Sequence, residues 1–501
     1  MLTHRTSEIQ NRLHHFLFRS LDELMADRLA MDAESVVLDL FHRTASRVPA
    51  YRTFLGAHGI APETVESFDA FRQLPLIDKP NYMHVYPLPE RCRNGRLAEC
   101  DRVAVSSGST GKPTFWPRSI IDELDIALRF EQIFHDSFKA HERSTLAVVC
   151  FALGNWVGGL YTTSCAWHLA AKGYPLMVAT PGNKKEEIFR VIQELAPCFE
   201  QTVLLGYPPF IKDVIDAGLA AGIEWPRYRV KMVFAGEVFS EEWRSLVSER
   251  VGSKAPCYDS ASLYGTADAG VLGNETPLSI AVRRFLADHP KAARELFGES
   301  RLPTLVQYDP ISRLFEVHEE TLVVSGDNGV PLIRYHIADK GGIVDYGEMR
   351  DFLRDWGAVP LIDYGLDETF PCRPLPFVYV FGRADFTVSF YGANIYPENV
   401  TVGLEQPHIM AWATGKFVLE TKESADGDKY LSVTAELLPG ATADDQKCRT
   451  LAESVKAQLL RLNSEFANYT PPEKQLPKVT LRPFEDPEYF PAGAKHRYTR
   501  R

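Results

Sequence analysis

Apolar and polar residues follow two different periods along this chain, and the switches between them mark its elements. Near the start, Leu21, Leu24 and Met25 recur at helical spacing in a peripheral segment. Residues 34–60 (ESVVLDLFHRTASRVPAYRTFLGAHGI) carry a stronger helical stripe. Pro49 predicts a break within it, because proline lacks a backbone donor and collides with the preceding turn. In the centre, Thr145–Phe151 reads as a strand, and Ile188, Val191, Ile192 and Leu195 share one helical face. The runs Val203–Leu205 and Val230–Phe234 are each followed closely by glycine. Strand, helix, strand at this spacing predicts an α/β core with substantial parallel sheet.

The pattern changes near residue 380. Pro371, Pro374 and Pro376 precede the apolar run Phe377–Phe381, and Gly382-Arg383-Ala384-Asp385 follows it. Beyond lie a strand at Lys416–Thr421, a second at Tyr430–Leu437 with period-two alternation, and a helix with Leu451, Val455, Leu459 and Leu462 on one face. A last strand, Lys478–Arg482, precedes the tail. These elements predict two domains: a large one over 1–381 and a small α+β one over 382–501.

A length of 501 residues exceeds what one hydrophobic core serves, which agrees with that division. The net charge of −11, with no long basic block, argues against nucleic acid as a partner. Ser144–Ala171 contains no Asp, Glu, Lys or Arg and imitates a membrane span. Gly154, Asn155, Gly158, Gly159 and Thr162–Ser164 interrupt it, so a buried strand, a loop and a buried helix are expected. Eight scattered cysteines without a CxxC pair imply reduced thiols and no structural zinc. With no signal-peptide core at the N-terminus, a cytoplasmic location is expected.

The ten residues 105–114, VSSGSTGKPT, are the most informative. Ser107, Gly108, Ser109, Thr110 and Gly111 offer amides and hydroxyls to a polyphosphate, and Lys112 adds a cation. The segment is not a P-loop: two residues separate its glycines and Pro113 follows the lysine. SSGSTGKPT instead resembles the phosphate-binding signature of the adenylate-forming superfamily, which includes acyl-CoA synthetases, adenylation domains and luciferases. The likeness runs from about residue 44 to the C-terminus. VPAYRTFLGAHGI and SFDAFRQLPLIDKPNY resemble the lead-in of the phenylacetate–CoA ligase-like subgroup.

The resemblance implies roles for further residues. GNWVGGLYT resembles the loop lining the acyl pocket, with Trp156 and Tyr161 as walls. FAGEVF matches the segment beside adenine, placing Gly236 and Glu237 there. In SLYGTADAG, Tyr264 would stack on adenine with Ser262 and Leu263 at the pocket edge; Gly265 and Thr266 continue the motif. Asp268 falls at the magnesium-holding acid, and Ala267 stands where the family has a hydroxyl. LIRYHIADKGG puts Asp339 at the ribose-binding acid. FGRADFTVSFYGANIYPENV supplies Arg383 for ATP, Asp385 as hinge and Gly392 for the acyl-transfer site. In FPAGAKHRYTRR, Lys495 resembles the mobile catalytic lysine, although Ala494 separates it from Gly493.

The implied activity is ATP-dependent adenylation of an aryl or arylacetic acid, followed by transfer to coenzyme A. A carrier-protein thiol or an amine is the alternative acceptor. The Ala267, Asp268 and Ala494 departures leave a degenerate nucleotide-binding relative as the competing class.

Overall fold

The computed structural model describes every residue except 1, 107–113, 156, 237, 300–301, 384–387, 392, 424–428, 464–465, 468–469, 492–495, 497 and 500–501. The large unit is built on an eleven-stranded mixed sheet. Strands Leu176–Ala179, Thr145–Val149, Gln201–Gly206, Val230–Ala235 and Ser260–Thr266 lie side by side and parallel. Helices Val157–Ala171, Lys185–Leu195 and Pro208–Ala220 return the chain between the first of them. Both faces of this half are covered, so its strands read as continuous apolar runs. Ala147, Val203, Leu205 and Val233 fill one layer, whereas Leu146, Val148, Leu204, Met232 and Phe234 fill the other.

The other half is antiparallel: Gly270–Asn274, Thr304–Gln307, Phe377–Arg383, Leu332–Val344, Thr321–Gly326 and Arg313–His318 follow in that spatial order. Ser260–Thr266 is therefore the seam, with a parallel neighbour on one side and an antiparallel one on the other.

The expected break at Pro49 is present. Helices Ala33–Arg47 and Pro49–Ala57 meet at Val48, which is extended at φ −103° and ψ 108°. The uncharged stretch becomes the buried strand Thr145–Val149 and the helix Val157–Ala171. No described helix is long and apolar enough to cross a membrane.

After residue 388 a separate three-stranded sheet appears: Ala413–Glu423, Lys429–Leu437 and Lys478–Arg482. Its middle strand is antiparallel to the first and parallel to the last. A parallel pair needs a crossover, which helix Asp445–Leu462 provides. Leu451, Val455 and Leu459 pack into the core of this unit, while Leu462 lines a crevice facing Val238–Ser240 of the large unit. Helix Pro397–Leu404 crosses Asp445–Leu462 closely: a Cβ on Gly403 would lie 2.8 Å from the Val455 Cα. A short hairpin, Val388–Phe390 with Ala393–Ile395, precedes these elements and was not expected from the pattern.

Candidate active site

Ligands of open α/β sheets bind beyond the carboxyl ends of parallel strands. Here that edge lies where the seam strand ends. Ala235 pairs with Leu263, so the chain leaves the neighbouring strand at Gly236 beside Tyr264. Gly236 has φ +93°, a conformation that side chains bearing a Cβ rarely adopt. Tyr264 points into the layer shared with Phe315, its ring stacked at 6.4 Å and 24°. Its hydroxyl donates to Asp339 Oδ2 at 2.8 Å. Asp339 lies on Leu332–Val344, and the backbone of Arg383 pairs opposite it on the next strand. Register sets Gly236 beside Tyr264 and the Arg383 backbone opposite Asp339, and the Tyr264–Asp339 hydrogen bond joins the two pairs across the sheet.

Leu263 and Ser262 are fixed differently. Leu263 packs into the layer opposite Tyr264, as strand alternation requires. The Ser262 amide donates to Glu275 Oε2 at 2.7 Å. Glu275 is held in turn by Arg244 at 2.6 Å, and Arg244 and Arg283 share Glu241 at 2.9 and 2.7 Å. Two buried carboxylates and two buried guanidiniums thereby anchor the start of the seam strand. Each charge has opposite neighbours, which offsets the large desolvation cost of burying it.

The turn between the seam and Gly270–Asn274 carries Asp268. Gly265 admits the returning chain, because a Cβ there would come within 2.6 Å of the Gly270 carbonyl oxygen. The Thr266 hydroxyl accepts from the Ala269 amide at 3.0 Å and tightens the turn. Arg118, buried beneath it, donates to the carbonyls of Ala267 and Asp268 at 2.7 and 2.8 Å. Asp268 Oδ2 accepts from the Tyr335 hydroxyl at 2.6 Å and lies 2.8 Å from Lys79 Nζ. Tyr161 reaches the same turn from helix Val157–Ala171: a Cβ on Gly270 would stand 3.7 Å from its hydroxyl. Burial of Tyr161 pushes its phenol pKa well up, so it stays neutral.

Lys79, Tyr335 and Arg118 had been given no role from the sequence. Tyr335 and Lys79 lay within motifs cited for resemblance, but their partner is a carboxylate remote in sequence. Ser107, Gly108, Ser109, Thr110, Gly111, Lys112, Trp156, Glu237, Asp385, Gly392 and Lys495 lie outside the described residues. Strands Arg102–Ser106 and Thr114–Arg118, on either side of residues 107–113, pair antiparallel.

No protein-family model matches the chain. It is 25% identical over 255 residues to the phenylacetate–coenzyme A ligase of Aromatoleum evansii, a match spanning 50% of this chain and 52% of that protein. It is 24% identical over 397 residues to the phenylacetate–coenzyme A ligase of Thermus thermophilus, covering 76% of each. The chain thus spans about half the length of the first relative and three quarters of the second. Among solved structures it resembles 2-hydroxyisobutyryl-CoA ligase in the postadenylation state with 2-HIB-AMP. That likeness has a TM-score of 0.61 at 14% identity, over 93% of this chain and 87% of that one. An open conformation of the same ligase, with 2-HIB-AMP and CoA, gives 0.53 at 15% identity, over 93% and 90%. These structures establish a shared fold.

Proposed function

We propose that this chain, a phenylacetate–coenzyme A ligase-like member of the adenylate-forming superfamily, joins a small carboxylic acid to AMP and passes the acyl group to coenzyme A. The observation that carries this reading is the gathering of Tyr264, Asp339 and Asp268 at the end of the seam strand.

In the first half-reaction a carboxylate oxygen attacks the α-phosphorus of ATP. The bond to the β-phosphate oxygen breaks, and pyrophosphate leaves with the electron pair. The acid is already ionised, so the barrier comes from bringing an anion to a polyanion; positioning and local cations lower it. Asp339 would accept from the ribose hydroxyls, since a carboxylate that already accepts from Tyr264 keeps further lone pairs. Lys112 and the amides of 107–111 would hold the departing pyrophosphate, with Glu237 and Gly236 at the adenine. Arg383 would contact the phosphates, and Lys495 would bridge the reacting atoms. Trp156 and Tyr161 would bound the acyl pocket, and the relatives' names favour an aryl or arylacetic acid.

Magnesium fits this site: Asp268 offers one carboxylate, and Mg²⁺ in nucleotide enzymes takes one or two carboxylates plus substrate phosphates. When bound, it would neutralise phosphate charge. In the second half-reaction the coenzyme A sulfur, as thiolate, attacks the acyl carbon and AMP leaves. The unit over 382–501 would turn about Asp385, withdrawing Lys495 and bringing the Gly392 loop to the acyl group. A carrier-protein thiol would react in the same way.

The test is acid-dependent ATP–pyrophosphate exchange across aryl, fatty and amino acids. Exchange with an aryl acid is expected. Folded protein that gives no exchange with any acid would refute the proposal.

A further inference from the structure

Lys79 lies on a short segment fastened at several points. The Ile77 amide donates to the Arg334 carbonyl at 3.2 Å and the His336 amide to the Ile77 carbonyl at 2.8 Å, docking the segment beside strand Leu332–Val344. Asp78 and Asn81 cap each other reciprocally at 2.7 and 2.8 Å, and Asn81 also donates to the Leu76 carbonyl. The root of the lysine is therefore fixed, and its side chain remains 30% exposed. Its ammonium meets Asp268 on the oxygen that also accepts from Tyr335.

A magnesium ion on that oxygen would sit at about 2.1 Å. The ammonium, 2.8 Å from the same atom, would then face a divalent cation at close range. Two cations cannot share one carboxylate oxygen at that separation without strong repulsion. Lys79 can leave at low cost, because Tyr335 still donates to Asp268 after it goes. The nearest anions arriving with the metal are the nucleotide phosphates.

We infer that Lys79 is an exchangeable cation of the nucleotide site: it neutralises Asp268 while no metal is bound, and moves to a nucleotide phosphate when metal takes its place. The inference rests on the proposed nucleotide site but goes beyond it, giving this chain a phosphate ligand from its N-terminal segment. It also makes metal and Lys79 competitors for Asp268.

The experiment measures two equilibria without turnover, in wild type, Lys79→Met and Lys79→Arg. The first is AMP binding by calorimetry at saturating Mg²⁺. The second is Mn²⁺ binding, read by electron paramagnetic resonance in the absence of nucleotide. Lys79→Met is expected to weaken AMP binding at saturating Mg²⁺ by about tenfold or more, the scale of one charge-assisted hydrogen bond. It should also tighten Mn²⁺ binding several-fold, because the competing ammonium is gone. Lys79→Arg should restore AMP binding. A structural lysine would leave both constants unchanged, and an unchanged AMP constant or an unchanged Mn²⁺ constant overturns the inference. Lys79→Gln stands in if the methionine variant fails to fold. Wild-type protein that binds AMP while Lys79→Met matches it removes this inference alone; wild-type protein that binds no AMP removes the proposed function with it.

Discussion

Glu405 provides a quantitative test of the contact between the two sheet systems. It caps helix Pro397–Leu404 and is buried against Ser240, the N-cap of helix Glu241–Arg250 in the large unit. The Ser240 hydroxyl donates to its Oε2. Burial, reinforced by Glu242, pushes the Glu405 carboxyl pKa up to about 8, against the partial relief from Ser240 and Arg283. Arg461, paired with Glu242 at 3.9 Å, is the other cation facing this contact. The folded pKa lies above the unfolded value of 4.5, so the folded chain holds a proton that the unfolded chain releases. The contribution is complete below about pH 4.5 and is lost as pH rises through about 8. Its slope is at most about 1.4 kcal/mol per pH unit, an upper bound of roughly 5 kcal/mol over the whole window. Glu405→Gln keeps the shape and cannot ionise. Thermal midpoints of the two proteins should coincide near pH 5 and separate toward pH 9, the variant being the more stable. At the entropy of unfolding usual per residue, the full separation is about 5 °C if the chain melts as one unit. Curves that remain parallel from pH 5 to 9 would show that Glu405 ionises normally, and the burial argument would fail.

Other outcomes follow from the site. Asp268→Asn should raise the magnesium concentration needed for half-maximal pyrophosphate exchange; an unaltered requirement would place the ion on another acid. Tyr264→Phe removes the donor to Asp339 and should weaken AMP binding by roughly tenfold, the scale of one hydrogen bond to a charged group, whereas unchanged calorimetric affinity would make that bond incidental. Arg244→Met strands Glu241 and Glu275 in the interior and should cost about 3–5 kcal/mol, seen as a lowered melting point; a loss below about 1 kcal/mol would mean Arg283 suffices alone. Lys495→Ala should abolish adenylation, at roughly 3–4 kcal/mol of barrier, while sparing thioester formation from supplied acyl-adenylate; equal loss of both halves would contradict an alternating lysine.

Much of the architecture was legible because it rests on local rules. The Pro49 break, the parallel strands and the helix bearing Leu451, Val455 and Leu459 follow from periodicity and proline geometry. The antiparallel strands over 304–344 were not read. They are buried along most of their length, and Leu332–Val344 is irregular, with Arg334 and Ala338 at φ +48° and +64°, so the alternation that marks a strand is missing. Asp268, Asp339 and Tyr264 could be singled out because short motifs carry them. Lys79 was missed because its meaning depends on a partner across the fold, and no local pattern encodes that pairing.

The docking of Ile77 beside Tyr335 also bears on how the protein is made. On a ribosome adding about 5–20 residues per second, the strand that receives this segment follows it by roughly ten to fifty seconds. During that interval Phe41, Tyr51, Phe54, Phe71 and Tyr82 can pack on one another, but the later strands that complete their core, with Val324 and Tyr335, do not yet exist. The nascent chain therefore presents a sticky aromatic face before its own partner exists. Chaperone dependence during synthesis should accordingly centre on the first hundred residues.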